Sequence, residues 1–299
     1  MNQLWSTRTA DSVIARNAPM SHEWHYENGV MLKAMERVWQ KTGDEKYFQF
    51  IKDTLDQFIE PDGSIRSYRL TEYNLDQINM GKALFSVWRA TQDERYQRAA
   101  FLLREQLHWQ PRTREGGFWH KLIYPYQMWL DGIYMGSAFL AEFAASLNEP
   151  SAFDEVAFQI ITIENHTRDP KTGLLYHAWD ESKKQRWANP ETGCSPHFWG
   201  RAIGWYVMAI VDTLDHFPRE HAERERGNLI AILQRAAEAI TNVQDDATGL
   251  WYQVLDQPNR AGNYREASAS CMFAYALAKG VRLGVLDQKY FEVARRAYE

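Results

Sequence analysis

Apolar residues recur at helical spacing along most of the chain, and the segments they mark fall into two kinds. Residues 48–59 and 97–107 carry an apolar stripe against a charged face, which predicts amphipathic outer helices. Segments 29–39, 76–89, 131–145, 200–214 and 268–283 are instead apolar on nearly every side and rich in small residues. A helix without a polar face is a buried one. The order buried, outer, buried, outer, at a period of roughly 50–70 residues, predicts an all-α array of helical hairpins. Thr42-Gly43-Asp44-Glu45-Lys46-Tyr47 and Thr91-Gln92-Asp93-Glu94-Arg95-Tyr96 share the pattern T-x-D-E-[KR]-Y, with Asp287-Gln288-Lys289-Tyr290 a looser copy. Acidic residues at these places suit helix N-termini.

The connections repeat as well. Asp169-Pro170-Lys171-Thr172-Gly173-Leu174-Leu175-Tyr176-His177 parallels Asp245-Asp246-Ala247-Thr248-Gly249-Leu250-Trp251-Tyr252-Gln253, and Gly116 to His120 and Pro61 to Ile65 are shorter relatives. Each is a glycine turn followed by a few β-formers, expected to run from the end of an outer helix back to the next buried one. All entrances to the buried helices then share one rim. An (α/α)6 toroid with short β-like connections, a single domain over 1–299, fits this order. Five buried helices are legible, and a sixth would be due where the sequence reaches Glu299, so the expectation is an incomplete C-terminal side with exposed apolar surface.

Candidate chemistry sits at those entrances. Leu75-Asp76-Gln77-Ile78-Asn79-Met80-Gly81 and Leu130-Asp131-Gly132-Ile133-Tyr134-Met135-Gly136 both read L-D-x-I-x-M-G. Two equivalent helices each bearing an aspartate suggest paired carboxylates for acid/base work, whereas the bland alternative is that Asp76 and Asp131 cap their helices. His120 and His177 each follow an aromatic in a β-like piece, as hydrogen-bonded structural residues or as site residues. Arg201, in an apolar segment, needs an anionic partner, either an internal carboxylate or one on a substrate. Trp24, Trp129, Trp199 and Trp205 are expected to line a funnel at the rim. No metal-ligand spacing is present, and no cofactor or obligate protein partner is called for.

Composition narrows the function. A net charge of −5 with no Lys/Arg run leaves no electrostatic footprint for nucleic acid. No apolar stretch approaches the ~20 residues needed to cross a bilayer. The opening Met1-Asn2-Gln3-Leu4-Trp5 has no basic segment leading into an apolar run, and there are two cysteines, Cys194 and Cys271, so the expected location is the cytoplasm. The 12 Trp, 15 Tyr and 14 Phe suit sugar faces as well as a large core.

Longer stretches carry a family resemblance: GGFWHK (116–121), YPYQMWLDGIYMG (124–136), GLLYHAWDE (173–181), WANPETGCSPHFWGRAIGWYVM (187–208), TGLWYQ (248–253) and SASCMFAYALAKG (268–280). From Trp24 to Tyr298 the chain resembles the unsaturated rhamnogalacturonyl hydrolases of glycoside hydrolase family 105, related to family 88. The resemblance implies a six-hairpin barrel acting on an oligosaccharide that ends in a 4,5-unsaturated galacturonate. The enol-ether double bond is hydrated rather than the glycosidic bond displaced. By the motif, Asp131 is the expected proton donor, with a raised pKa, and the base for water, and Asp76 the supporting carboxylate. His120, His177 and Arg201 are expected on the uronate, with Tyr26 and Trp205 as walls. An unsaturated glucuronyl hydrolase on glycosaminoglycan fragments, a histidine-driven sugar epimerase and a helical binding scaffold remain as alternatives.

Overall fold

A computed structural model describes residues 4–16, 22–218 and 223–299. The reading of the chain's opening rests partly on Met1, Asn2 and Gln3, which lie outside the described residues. The chain divides into two compact units, Met1–Gln110 and Pro111–Glu299.

The first unit holds α1 (Trp5–Arg16), α2 (Tyr26–Thr42), α3 (Glu45–Asp56), α4 (Lys82–Thr91) and α5 (Glu94–Trp109), with α2/α3 and α4/α5 as hairpins. The T-x-D-E-[KR]-Y motif makes both hairpin turns by the same bonds. Thr42 and Thr91 donate their hydroxyls back to Val38 and Val87 carbonyls at 2.8 Å each. The next residue, Gly43 or Gln92, takes a left-handed backbone, φ 68° or 57°. Asp44 and Asp93 then accept from the amides of Lys46 and Arg95 at 3.1 and 3.0 Å, capping α3 and α5. Tyr47 and Tyr96 are fully buried, and their hydroxyls donate to Asp11 of α1 at 2.8 Å and to Asp56 of α3 at 2.5 Å.

The second unit begins, after its first loop, with β1 (Gln127–Trp129), which runs directly into the one-turn α6 (Leu130–Gly132), a π-helical segment Ile133–Ser137 and α7 (Ala138–Leu147). α8 (Ala152–Thr167) returns along α7, and β2 (Ala178–Asp180) pairs antiparallel with β1, Gln127 opposite Asp180 and Trp129 opposite Ala178. α9 (Gly200–Leu214) with α10 (Glu223–Thr241) and α11 (Ala267–Arg282) with α12 (Lys289–Tyr298) complete it. α9 and α11 pack closely because position 204 is glycine: a Cβ there would lie 2.7 Å from the Met272 sulfur. In the loose third copy of the turn motif, Asp287 Oδ1 accepts from the Lys289 amide at 2.9 Å just ahead of α12, whose N-cap is Gln288, and Tyr290 is buried.

The all-α hairpin order matches the sequence expectation, but two of the predicted buried helices are not regular. Residues 76–81 form 3₁₀ turns, Leu75–Gln77 and Asn79–Gly81, and the α-helix starts only at Lys82. The cause is tertiary: the fully buried Trp24 indole N–H donates to the Gln77 carbonyl at 2.6 Å, drawing that carbonyl out of the helical ladder. Gly29 of α2 lies so close that a Cβ would be 2.7 Å from Met80 Cα. Segment 131–145 is interrupted by the π turn two residues after Asp131, a feature that recurs at functional sites. Trp24, expected at a funnel, is therefore core. Among the described residues no helix is long and apolar enough to cross a membrane. An apolar groove of about 470 Å³ lies between α11 and α12, where Phe291 is 42% and Tyr298 71% exposed.

Candidate active site

The glycine connections decide where the site side chains stand. Gly63, Gly116, Gly173 and Gly249 all have left-handed backbones, φ 88°, 96°, 73° and 72°. In the two longest copies an aspartate fixes the turn: Asp169 Oδ2 accepts from the Thr172 amide and hydroxyl at 2.8 and 2.7 Å, and Asp245 Oδ2 from those of Thr248 at 3.1 and 2.5 Å. Four residues beyond each glycine come Ser67, His120, His177 and Gln253. Three of these reach back to the start of the buried helix in the preceding hairpin. Ser67 Oγ accepts from the Trp24 amide at 2.7 Å, just ahead of α2. Gln253 accepts from the Gly200 amide through its carbonyl at 2.7 Å and from the Arg201 amide through Oε1 at 3.1 Å. The His177 carbonyl likewise accepts from the Leu130 amide at 3.0 Å, but its side chain goes to a carboxylate: Nε2 lies 2.9 Å from Asp131 Oδ2. One position in a repeated scaffold thus holds a structural cap in two copies and an imidazole on an acid in another.

Asp131 does not cap α6. The N-cap is Trp129, with no side-chain cap, and the Asp131 carboxylate is 23% exposed beside His177 at 28%. Burial pushes its pKa up, as the sequence reading expects, yet the His177 hydrogen bond and the charges of His177 and His120 outweigh burial and hold it below the usual carboxylate range. The expected raised pKa is corrected accordingly: in the resting protein Asp131 is a carboxylate.

Aromatic rings frame this pair. His120, buried, stacks on Trp129 with centroids 4.7 Å apart, Tyr124 stacks on the same indole at 5.0 Å, and His177 meets it edge-on at 5.4 Å. Its Nε1–H donates to Gln127 Oε1 at 3.1 Å, which fixes the ring plane. A cavity of about 270 Å³ opens beside it, lined by Trp129, His177, Trp187, Ser195, His197 and Trp199. Arg201 is 41% exposed, stands 5.9 Å over the Trp199 ring and reaches Glu266 at 3.6 Å. That long contact supplies an internal carboxylate while leaving the guanidinium open to a further anion.

Not every predicted residue joins this cavity. Trp205 is buried, its indole stacked on Tyr134 of the π segment at 5.0 Å, because position 205 falls on the inner face of α9. In the first unit, Asp76 is 8% exposed on the 3₁₀ turn, where Asn74 rather than Asp76 is the cap, accepting from the Asp76 amide at 3.0 Å. Tyr26 opens α2 half-buried, its ring 4.6 Å from that of His25. Trp187, Ser195 and His197 are cavity walls that spacing did not single out, since they stand on loops with no periodicity. Among the described residues, no group of three His, Cys, Asp or Glu is placed to hold a metal ion.

An all-α hairpin fold with a carboxylate and an imidazole in contact beside an aromatic cavity is the setting of a carbohydrate-active enzyme, and the comparisons agree. The chain belongs to Glycosyl Hydrolase Family 88, whose profile matches residues 1–299. It is similar to a glycoside hydrolase from family 105 of C. acetobutylicum: 49% identity, a TM-score of 0.96, and coverage of 99% of this chain and 82% of that one. The unsaturated rhamnogalacturonyl hydrolase of Bacillus subtilis is 27% identical over 292 residues, covering 96% of this chain and 78% of that protein. A protein of Agrobacterium fabrum is 43% identical over 157 residues, 51% of this chain and 63% of the relative, so this alignment spans less than two thirds of that relative.

Proposed function

We propose that this protein is a glycoside hydrolase that releases a 4,5-unsaturated galacturonate from the non-reducing end of rhamnogalacturonan oligosaccharides by hydrating its enol-ether double bond. The observation that supports it most is the 2.9 Å contact of Asp131 with His177 at the wall of an aromatic cavity. Hydration needs one group able to give a proton to C4 and take one from the water adding at C5. The Asp131–His177 pair is suited to both. With Asp131 ionised at rest and His177 carrying the proton as imidazolium, that proton passes through Asp131 to C4 and leaves a neutral imidazole. An anionic uronate bound beside Asp131 raises the carboxylate's proton affinity and favours that transfer. Water then bonds to C5, its proton returns to the pair, and the hemiketal at C5 opens to a ketone. The hemiacetal left at C1 collapses and expels the neighbouring sugar, so the pair ends as it began. Trp129 and Trp199 offer flat apolar faces to the ring, and Arg201 and His120 are assigned to the uronate. Trp205 acts through Tyr134 rather than as a wall.

Mixing the protein with an unsaturated galacturonate–rhamnose disaccharide should abolish the enol-ether absorbance. Unchanged absorbance from folded protein would overturn the reading. An unsaturated glucuronate–N-acetylgalactosamine disaccharide in a parallel cuvette separates the glycosaminoglycan alternative, which predicts the opposite preference.

A further inference from the structure

Two loops beside the cavity are held rigid by polar groups that the Asp131–His177 chemistry does not use. In the first, the fully buried Asp180 carboxylate accepts from the Ser182, Lys184 and Gln185 amides, each at 2.9 Å, and Asn189 Oδ1 accepts from the Glu191 and Thr192 amides at 2.8 and 3.0 Å. Trp187, a cavity wall, stands between these two fixed turns. In the second, Asn263 closes residues 254–263 by donating to the Val254 and Gln257 carbonyls at 2.9 and 2.7 Å while accepting from the Val254 amide at 3.0 Å. This loop carries Arg260, an exposed residue whose Nη1–H donates to Gln257 Oε1 and to His197 Nε2, both at 3.1 Å. His197 lines the cavity, and its buried Nδ1 has no hydrogen-bond partner among the described residues.

We infer that these loops form the subsite for the leaving part of the substrate, in which Trp187 is a platform for a sugar face and Arg260, oriented by His197 and Gln257, reads a second negative charge further along the oligosaccharide. The inference rests on the hydrolase reading above, and it adds a substrate class: acidic oligosaccharides with a second uronate or a sulfate, in preference to the minimal disaccharide. A guanidinium is the fitting reader because it pairs with a carboxylate or sulfate in a fixed plane while one nitrogen stays committed to His197.

Binding tests this without turnover. Tryptophan fluorescence is titrated with trigalacturonate and with its uncharged counterpart galactotriose. The wild type is expected to bind trigalacturonate more tightly than galactotriose, part of the preference coming from the uronate at Arg201 and part from Arg260. Arg260→Gln should cut that preference about fivefold, the size of one rim charge contact, and Arg260→Lys restore part of it, while Trp187→Ala should weaken both sugars. Equal affinities in the wild type, or a preference unchanged by Arg260→Gln, would overturn the subsite. In turnover, the ratio of kcat/KM for an unsaturated tetrasaccharide with a second uronate to that for the disaccharide should fall about fivefold in Arg260→Gln. A wild type inactive on both substrates sinks the hydrolase reading, and the fluorescence titrations still decide the subsite.

Discussion

Asp131 and His177 are 46 positions apart in sequence, and their contact is made by the antiparallel register that puts the His177 carbonyl on the Leu130 amide. On the proposed mechanism, Asp131→Asn removes the proton carrier and should lower kcat by about 10³-fold or more, at the upper range for a general acid/base. A histidine-driven epimerase would keep much of its activity, which a steady-state assay of the variant distinguishes. His177→Gln places in this copy the residue that stands at position 253. It should retain a hydrogen bond to Asp131 but lose the proton relay, leaving KM within about twofold and reducing kcat about 10²-fold. The lowered pKa of Asp131 also has a stability consequence. Because the folded protein prefers the ionised form, its contribution is fully present above the unfolded aspartate value of about 3.9 and is lost as pH falls through the lower folded value. Urea unfolding at several pH values should show wild type losing stability relative to Asp131→Asn between about pH 5 and 3. A constant difference across that range would contradict the assigned direction.

At the scale of elements, the hairpin turns were the most legible part of the chain. T-x-D-E-[KR]-Y holds its whole mechanism within six consecutive residues: a threonine closing one helix, a left-handed residue, an aspartate capping the next helix and a tyrosine for the core. Asp44→Ala and Asp93→Ala should each cost about 1 kcal/mol, measurable by chemical denaturation. Gly249 is more constrained than its neighbours in the loop. It has φ 72°, and a Cβ would lie 2.5 Å from the Arg296 carbonyl oxygen of α12. Gly249→Ala should therefore cost more than about 1 kcal/mol, beyond the left-handed penalty alone, and lower Tm. The two L-D-x-I-x-M-G copies read as equal helices but fold unequally. Their helix-breaking partners, Trp24 and Gly29 against Gln77 and Met80, come from a segment about fifty residues away, and no local pattern contains them.

The whole molecule adds groups that only assembly can explain. Lys279 is buried with a side chain 2% exposed and lies 2.6 Å from both Asp212 and Asp215, joining α11 to the end of α9. Tyr134 of the π segment also hydrogen-bonds Asp212, so this ion cluster ties the helix that carries Asp131 to the rest of its unit. Lys279→Met would leave two aspartates without their cation and should destabilise the fold by about 3 kcal/mol, the low end for a broken buried pair because both carboxylates keep some solvent. The two cysteines offer a separate check on packing. Cys271 is exposed in the α11–α12 groove, whereas Cys194 is buried, its thiol pushed up by burial and donating to the His166 carbonyl at 3.1 Å. A thiol reagent should label one cysteine rapidly in the native protein and the second only on unfolding.

The sequence by itself determined the helical hairpins, their capped turns, the glycine connections and the positions of Asp131, His120 and His177, because each depends on residues within a turn or two or on a repeat that can be aligned with itself. Tertiary structure decided the chemistry of those positions. It put the His177 imidazole rather than a capping carboxamide on Asp131, turned an expected raised pKa into a lowered one and sent Trp24 and Trp205 into the core. It also brought Trp187 and His197 to the cavity from loops without periodicity. The reason is that burial, hydrogen bonding and charge act between side chains brought together by the fold, and periodicity records which face a residue takes but not what it meets there.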